Sequence, residues 1–268
     1  MKSDSDSIQH LDRQQTIQSV NLSMEMFEKL YLAPRNRVRG ELRKTFANPT
    51  PLPLLGFLIT AAPLSCALMG WRGAGGGGAA TIGTFYFFGG LLQIMGCVME
   101  WLIGNTFPFV VFGSFGAFFL TFGATLTPMY NAEAAFTASA TTEQERAIGV
   151  ASFEASLAFF LLFMGVLVSM YLICSLRTNL VFFGMFLFLE AAVLLLTGAY
   201  WKAAQGDVVT FQKLEVASGA FVFAICILGF YLLFAQLLES VEFPLQLPVG
   251  DLSKRFARRK LNESDEAV

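Results

Sequence analysis

The sequence is nearly without histidine and poor in charge. His10 is the single histidine among 268 residues and stands in a polar tail. A site built on several histidines, for zinc or for proton shuttling, is therefore excluded. The four cysteines, Cys66, Cys97, Cys174 and Cys226, fall one to an apolar run with no Cys-x-x-Cys pair. They read as buried apolar thiols, not as a disulfide framework or a metal site, and no cofactor is expected. Charged residues make up 14% of the chain, whereas a soluble domain carries about 25%. That shortage excludes a soluble globular protein, a disordered chain and a nucleic-acid binder.

What is present is apolar bulk: 55% hydrophobic residues, 29 of them phenylalanine. It is gathered in six long segments, at about 51–71, 79–103, 107–130, 147–176, 180–201 and 214–238. Each meets the roughly 20 residues that a helix needs to cross a bilayer. None alternates apolar and polar residues as a barrel strand does. The predicted fold class is all-α: a polytopic membrane protein, a bundle of six transmembrane helices. Three regions follow: a tail over 1–46, the six-helix domain over 47–240 and a second tail over 241–268. No cleaved signal is expected in the polar first tail. Within it Ile17, Val20, Met24, Phe27 and Tyr31 predict an amphipathic helix over 16–32, which suits a membrane surface or a face of the same protein.

Six spans place both tails on one side. The tails and the loops at 104–106 and 177–179 hold 14 of the 18 Lys and Arg, leaving Arg72, Arg146, Lys202 and Lys213 opposite. The excess predicts cytoplasmic termini in a cell membrane. The cluster Arg35, Arg37, Arg39, Arg43 and Lys44 suits anionic lipid headgroups, not nucleic acid.

Charge inside a span is costly and usually faces a bundle interior or a wet cavity. Glu100, Glu154 and Glu190 are the candidates, and Glu190 lies deepest in its apolar run. In span three, Phe112, Phe115, Phe119 and Phe122 form an aromatic stripe beside Ser114, Thr121 and Thr125. Core packing and the wall of a narrow, mostly apolar pore both fit that pattern. Pro49, Pro51 and Pro53 predict an extended or broken segment that turns helical near Leu54. A broken start of this kind suits an anion such as a carboxylate.

The stretch Asn48-Pro49-Thr50-Pro51-Leu52-Pro53-Leu54-Leu55-Gly56-Phe57 resembles the Asn-Pro-Ala-Pro-Leu-Gly-Leu-x-Gly-Phe signature of the acetate uptake transporter family. That family includes the bacterial succinate–acetate permease and fungal acetate and ammonia-export proteins. Phe85-Tyr86, Gly89-Gly90, Gln93, Glu100-Trp101 and Gly104-Asn105-Thr106-Phe107 are similar to its second motif, and Leu247-Pro248-Val249-Gly250-Asp251-Leu252-Ser253 to the fungal C-terminal motif. The resemblance covers about 47–253. It implies a hexamer of six-helix protomers, each with its own narrow central pore, and proton-linked movement of acetate or related short carboxylates. It implies a constriction at Phe57, Phe115 and Leu189. Together with the buried polar positions, it marks Asn48, Gln93, Glu100, Asn105, Thr106 and Glu190 as candidate substrate-binding or proton-linked residues.

Three departures from the pattern stand out: Pro53 for glycine, Phe115 for tyrosine, and Phe153-Glu154-Ala155-Ser156 for an apolar Gly-Trp region. An ammonia or ammonium transporter and a non-conducting membrane sensor or scaffold are the rival expectations. With no histidine in any span and no clustered nucleophile and base, an enzyme is not expected.

Overall fold

The computed structural model describes residues 42–252. The expected amphipathic helix over 16–32 and most of both tails lie outside these residues. Six helices are long and apolar enough to cross a membrane: α1 Pro51–Leu68, α2 Gly76–Leu102, α3 Thr106–Leu126, α4 Glu143–Ser175, α5 Leu180–Ala204 and α6 Val208–Ser240. The protein is a multi-pass, all-helical membrane protein. Among the described residues the extended pairing is a single bridge between Asn179 and Asp251.

Three expectations about helix starts are corrected. Helix α1 begins at Pro51, not near Leu54. The first four N–H groups of a helix have no intrahelical acceptor, so prolines at 51 and 53 give up donors that the first turn does not use. Helix α6 begins at Val208 instead of 214, and the loop before it shrinks to 205–207. Asp207 supplies the stop-and-start there. Its carboxylate accepts the Thr210 N–H at 3.1 Å, and the hydrogen bonds from Thr210 hold its carboxyl below the usual carboxylate range. Helix α4 also starts early, at a reciprocal cap: the Glu145 N–H donates to Thr142 Oγ1 and the Thr142 N–H to Glu145 Oε2.

The helices form a closed ring. Helix α1 packs on α2 and α6, α2 on α3, α4 on α5, and α5 on α6. The seam between α3 and α4 is bridged by side chains. Phe118 stacks on Phe160 at 5.8 Å, and Tyr171 lies against Phe115 at 6.2 Å with its hydroxyl 3.0 Å from Ser114 Oγ. Phe87 and Phe163, both about two-thirds exposed, point away from the ring as a lipid-facing surface requires.

Helix α2 is not uniform. It opens as a 3-10 turn, is π-helical over Phe85–Leu92, and is α-helical from Gln93. The π segment packs against α1 at Gly56, where an added Cβ would stand 2.4 Å from the Phe88 carbonyl oxygen. Thr60 Oγ1 lies within 3.0 Å of both the Gly56 and Thr84 carbonyl oxygens, so its one proton serves the entry to the π turn. One turn below, Pro53 fills the space over Gly96; a Cβ at Gly96 would come 2.4 Å from the Pro53 Cγ. Here the proline that departs from the family signature is packed against a glycine on the facing helix.

This contact predicts a compensation. Gly96→Ala should lower stability by about 1–3 kcal/mol through overpacking, read from thermal melts in detergent. Adding Pro53→Gly should recover part of that loss. A double variant that melts where simple additivity places it would show that the two positions do not press on each other.

Candidate functional site

Three helices send a stripe of side chains to the centre of the ring. In α1 the stripe is Leu54, Phe57, Ala61, Leu64 and Leu68; in α5 it includes Phe182, Met185, Leu189 and Leu196. The steps of three, four and seven residues put each set on one helical face. Helix α3 adds Phe112, Phe115 and Phe119.

These stripes enclose three cavities in file. The end of the bundle that carries residues 50, 105, 178 and 251 is called the termini end. A cavity of about 20 Å³ lies there, lined by Thr50, Leu54, Phe112, Asn179, Phe182 and Gln236 among others. Leu54, Phe112 and Phe182 also line the next cavity, of about 40 Å³. A third, of about 70 Å³, extends toward the far end past Ala61, Leu64, Leu161 and Ser218. The second and third cavities have three residues in common: Phe57, Phe115 and Leu189. The ring of Phe57 meets that of Phe115 edge-on at 6.3 Å and that of Phe119 at 6.0 Å. The three residues named from the family pattern thus stand together between two cavities. Each cavity exceeds the roughly 10–15 Å³ that one water needs.

Gln93 is the polar residue of the middle cavity. It is 1% exposed, and neither its Oε1 nor its Nε2 has a hydrogen-bond partner. A buried unpaired polar group costs about 1–3 kcal/mol, and buried polar groups are normally hydrogen-bonded. No Lys, Arg, His, Asp or Glu is among the residues lining the three cavities.

The other candidates sit elsewhere. Glu100 is fully buried. Its Oε1 accepts the Thr50 hydroxyl at 2.6 Å and its Oε2 accepts Asn105 Nδ2 at 2.6 Å. The Asn105 N–H meanwhile donates to the Glu100 carbonyl at 2.9 Å. This group ties the first turn of α1 to the α2–α3 turn. Asn48 is exposed, and its Oδ1 accepts the Thr50 N–H at 3.1 Å. Thr106 is the exposed first residue of α3. Glu190 lies between α4 and α5: its Oε1 accepts the Ser169 hydroxyl at 2.8 Å, and its Oε2 is buried without a partner. None of Asn48, Glu100, Asn105, Thr106 and Glu190 is among the residues lining the three cavities.

Reading the sequence missed Gln236, 3% exposed in the first cavity. Its signal was an amide inside an apolar run. It also missed Tyr171, whose hydroxyl reaches Ser114 beside Phe115, one residue from where the family pattern has its tyrosine.

The GPR1/FUN34/yaaH family model matches residues 33–254. Protein alcS of Aspergillus fumigatus is 49% identical over 241 residues, covering 90% of this chain and 88% of that protein. Acetate transporter protein patA of Aspergillus clavatus is 32% identical over 215 residues, covering 80% and 82%. Among solved structures, the bacterial acetate channel SatP superposes with a TM-score of 0.58 at 24% identity, over 76% of this chain and 99% of that one. At that identity the likeness shows the fold alone.

The buried carboxylate yields a stability prediction. Glu100→Leu leaves the Thr50 hydroxyl and the Asn105 amide without their acceptor and should cost about 3 kcal/mol or more. Glu100→Gln keeps one acceptor oxygen and should cost less. Thermal melts in detergent rank the two, and equal melting points would contradict the clasp.

Proposed function

The chain belongs to the GPR1/FUN34/yaaH family, and from that premise we propose that it moves acetate and related short carboxylic acids across a cell membrane. The observation that carries the reading is the meeting of Phe57, Phe115 and Leu189 between two cavities, with the unpartnered amide of Gln93 on one side. Relatives named as acetate transporters support the choice of solute.

The path favours a neutral species. A carboxylate ion inside an apolar, uncharged cavity forfeits hydration that nothing replaces. An undissociated acid meets a smaller barrier. Its O–H donates to Gln93 Oε1 while its carbonyl accepts from Gln93 Nε2. The hydrocarbon end then faces Phe57, Phe115 and Leu189, which act as a dry gate. Movement of the acid carries a proton with the carboxylate, so transport is proton-linked. Glu100 and Asn105 act from outside the path by holding the start of α1. Asn48 closes the turn that leads into it, and Thr106 begins the helix that carries Phe115. Glu190 tethers α5, next to Leu189. The predicted orientation puts both termini in the cytoplasm, and homo-oligomers, hexamers by family resemblance, are the expected assembly.

The test is uptake of labelled acetate into liposomes holding the purified full-length chain. Flux should exceed that of empty liposomes and rise as the pH falls toward the pKa of the acid. Gln93→Leu should lower it roughly tenfold, the worth of one buried hydrogen bond of about 1.4 kcal/mol. No flux above empty liposomes would sink the reading. Ammonium flux without acetate flux would favour its rival.

A further inference from the structure

The termini-end cavity contains a second amide. Gln236, on α6, is 3% exposed, lines this cavity, and has its Oε1 buried without a partner. The threonine hydroxyls around it are already committed. The Thr50 hydroxyl donates to Glu100 Oε1, and the Thr178 hydroxyl donates to the Ser175 carbonyl. Asn179 Oδ1 accepts the Phe182 N–H. The free donors of the α5 N-terminus are also occupied. The Leu180 N–H donates to the Gly250 carbonyl at 2.7 Å and the Val181 N–H to the Val249 carbonyl at 3.4 Å. The segment 247–250 therefore takes up the dipole end that would otherwise attract an anion. What Gln236 offers this cavity is an unpartnered acceptor oxygen among mostly apolar side chains. That chemistry fits a small neutral donor, such as the O–H of an undissociated carboxylic acid.

The cavity adjoins the one that holds Gln93, through Leu54, Phe112 and Phe182. Beyond Phe57, Phe115 and Leu189 the far cavity has no comparable group. Its serine, Ser218, donates its hydroxyl to the Ala192 carbonyl at 2.8 Å. Resting on the reading of the chain as an acid transporter, we infer that Gln236 is a second amide station for the acid. The two stations stand on the same side of the gate and make the path polar on the termini side and apolar on the other.

The experiment uses solid-state NMR of the full-length protein in lipid, labelled at glutamine side-chain nitrogen and soaked at pH 5 with acetate enriched in carboxyl ¹³C. Two acetate-to-glutamine correlations are expected, one lost in Gln93→Leu and the other in Gln236→Leu. Because Oε1 is unpaired without solute, Gln236→Leu should melt no lower than the unaltered chain, which keeps loss of signal separate from loss of fold. A correlation at Gln93 alone would overturn the second station and leave the transport reading intact. No correlation at either glutamine, with acetate flux still present, would also overturn it. Absence of both correlations and of flux would fault the transport reading itself.

Discussion

The carboxylate of Glu100 is the contact from which the rest of the site takes its position. It is fully buried near the end of α2, and it holds the Thr50 hydroxyl and the Asn105 amide at 2.6 Å each. Thr50 is the residue just before α1. Fixing it sets the rotation of that helix, and the rotation puts Leu54 and Phe57 on the inner face. Asn105 precedes α3, whose Phe112 and Phe115 complete the same wall. A hydrogen-bonded network of this kind is worth more in a low-dielectric interior than in water, provided every member is satisfied. The stretch 48–57 is thus a helix start and a clasp at Thr50, followed on the same helix by Leu54 and Phe57 in the cavity walls.

The path itself is defined by scarcity of polar groups. Apolar side chains from α1, α3 and α5 converge at Phe57, Phe115 and Leu189, and the cavities on either side hold no charged residue in their walls. Such a constriction opposes ions through desolvation and tolerates small neutral solutes. The replacement of tyrosine by Phe115 makes the point of closest approach drier. A hydroxyl is still nearby, on Tyr171, but it is turned to Ser114 and is not part of either cavity wall. Close approach of α1 and α2 at Gly56, and of Pro53 over Gly96, keeps the wall continuous beside Gln93.

Much of this was legible before any coordinates. Six spans follow from bilayer thickness and apolar run length, which is a strong constraint on composition. Helix ends were less legible, because α6 continues through Gln212, Lys213 and Glu215 into water, where hydropathy falls but helix propensity does not. The π turn over Phe85–Leu92 has no signature in periodicity; it is a backbone response to packing at Gly56 and Gly89. The convergence of Phe57, Phe115 and Leu189 came from family resemblance, since in a chain with 29 phenylalanines no local rule picks out two. Glu190 follows Leu189 by about 100° of helical turn, which carries it away from the gate, and its bond to Ser169 places it against α4. Gln236 was missed because one amide in a long apolar helix looks the same whether it packs, pairs or faces a cavity.

The central claim is that Phe57, Phe115 and Leu189 are the dry step that the solute must cross. Leu189→Ala tests it most directly, because it opens the gate without touching Gln93, Gln236 or the Glu100 clasp. In liposomes the variant should pass acetate faster than the unaltered chain and should admit a bulkier acid, such as benzoic acid, that the unaltered chain excludes. Unchanged rates for both acids, in a variant that melts normally, would contradict the claim and place the barrier elsewhere in the molecule.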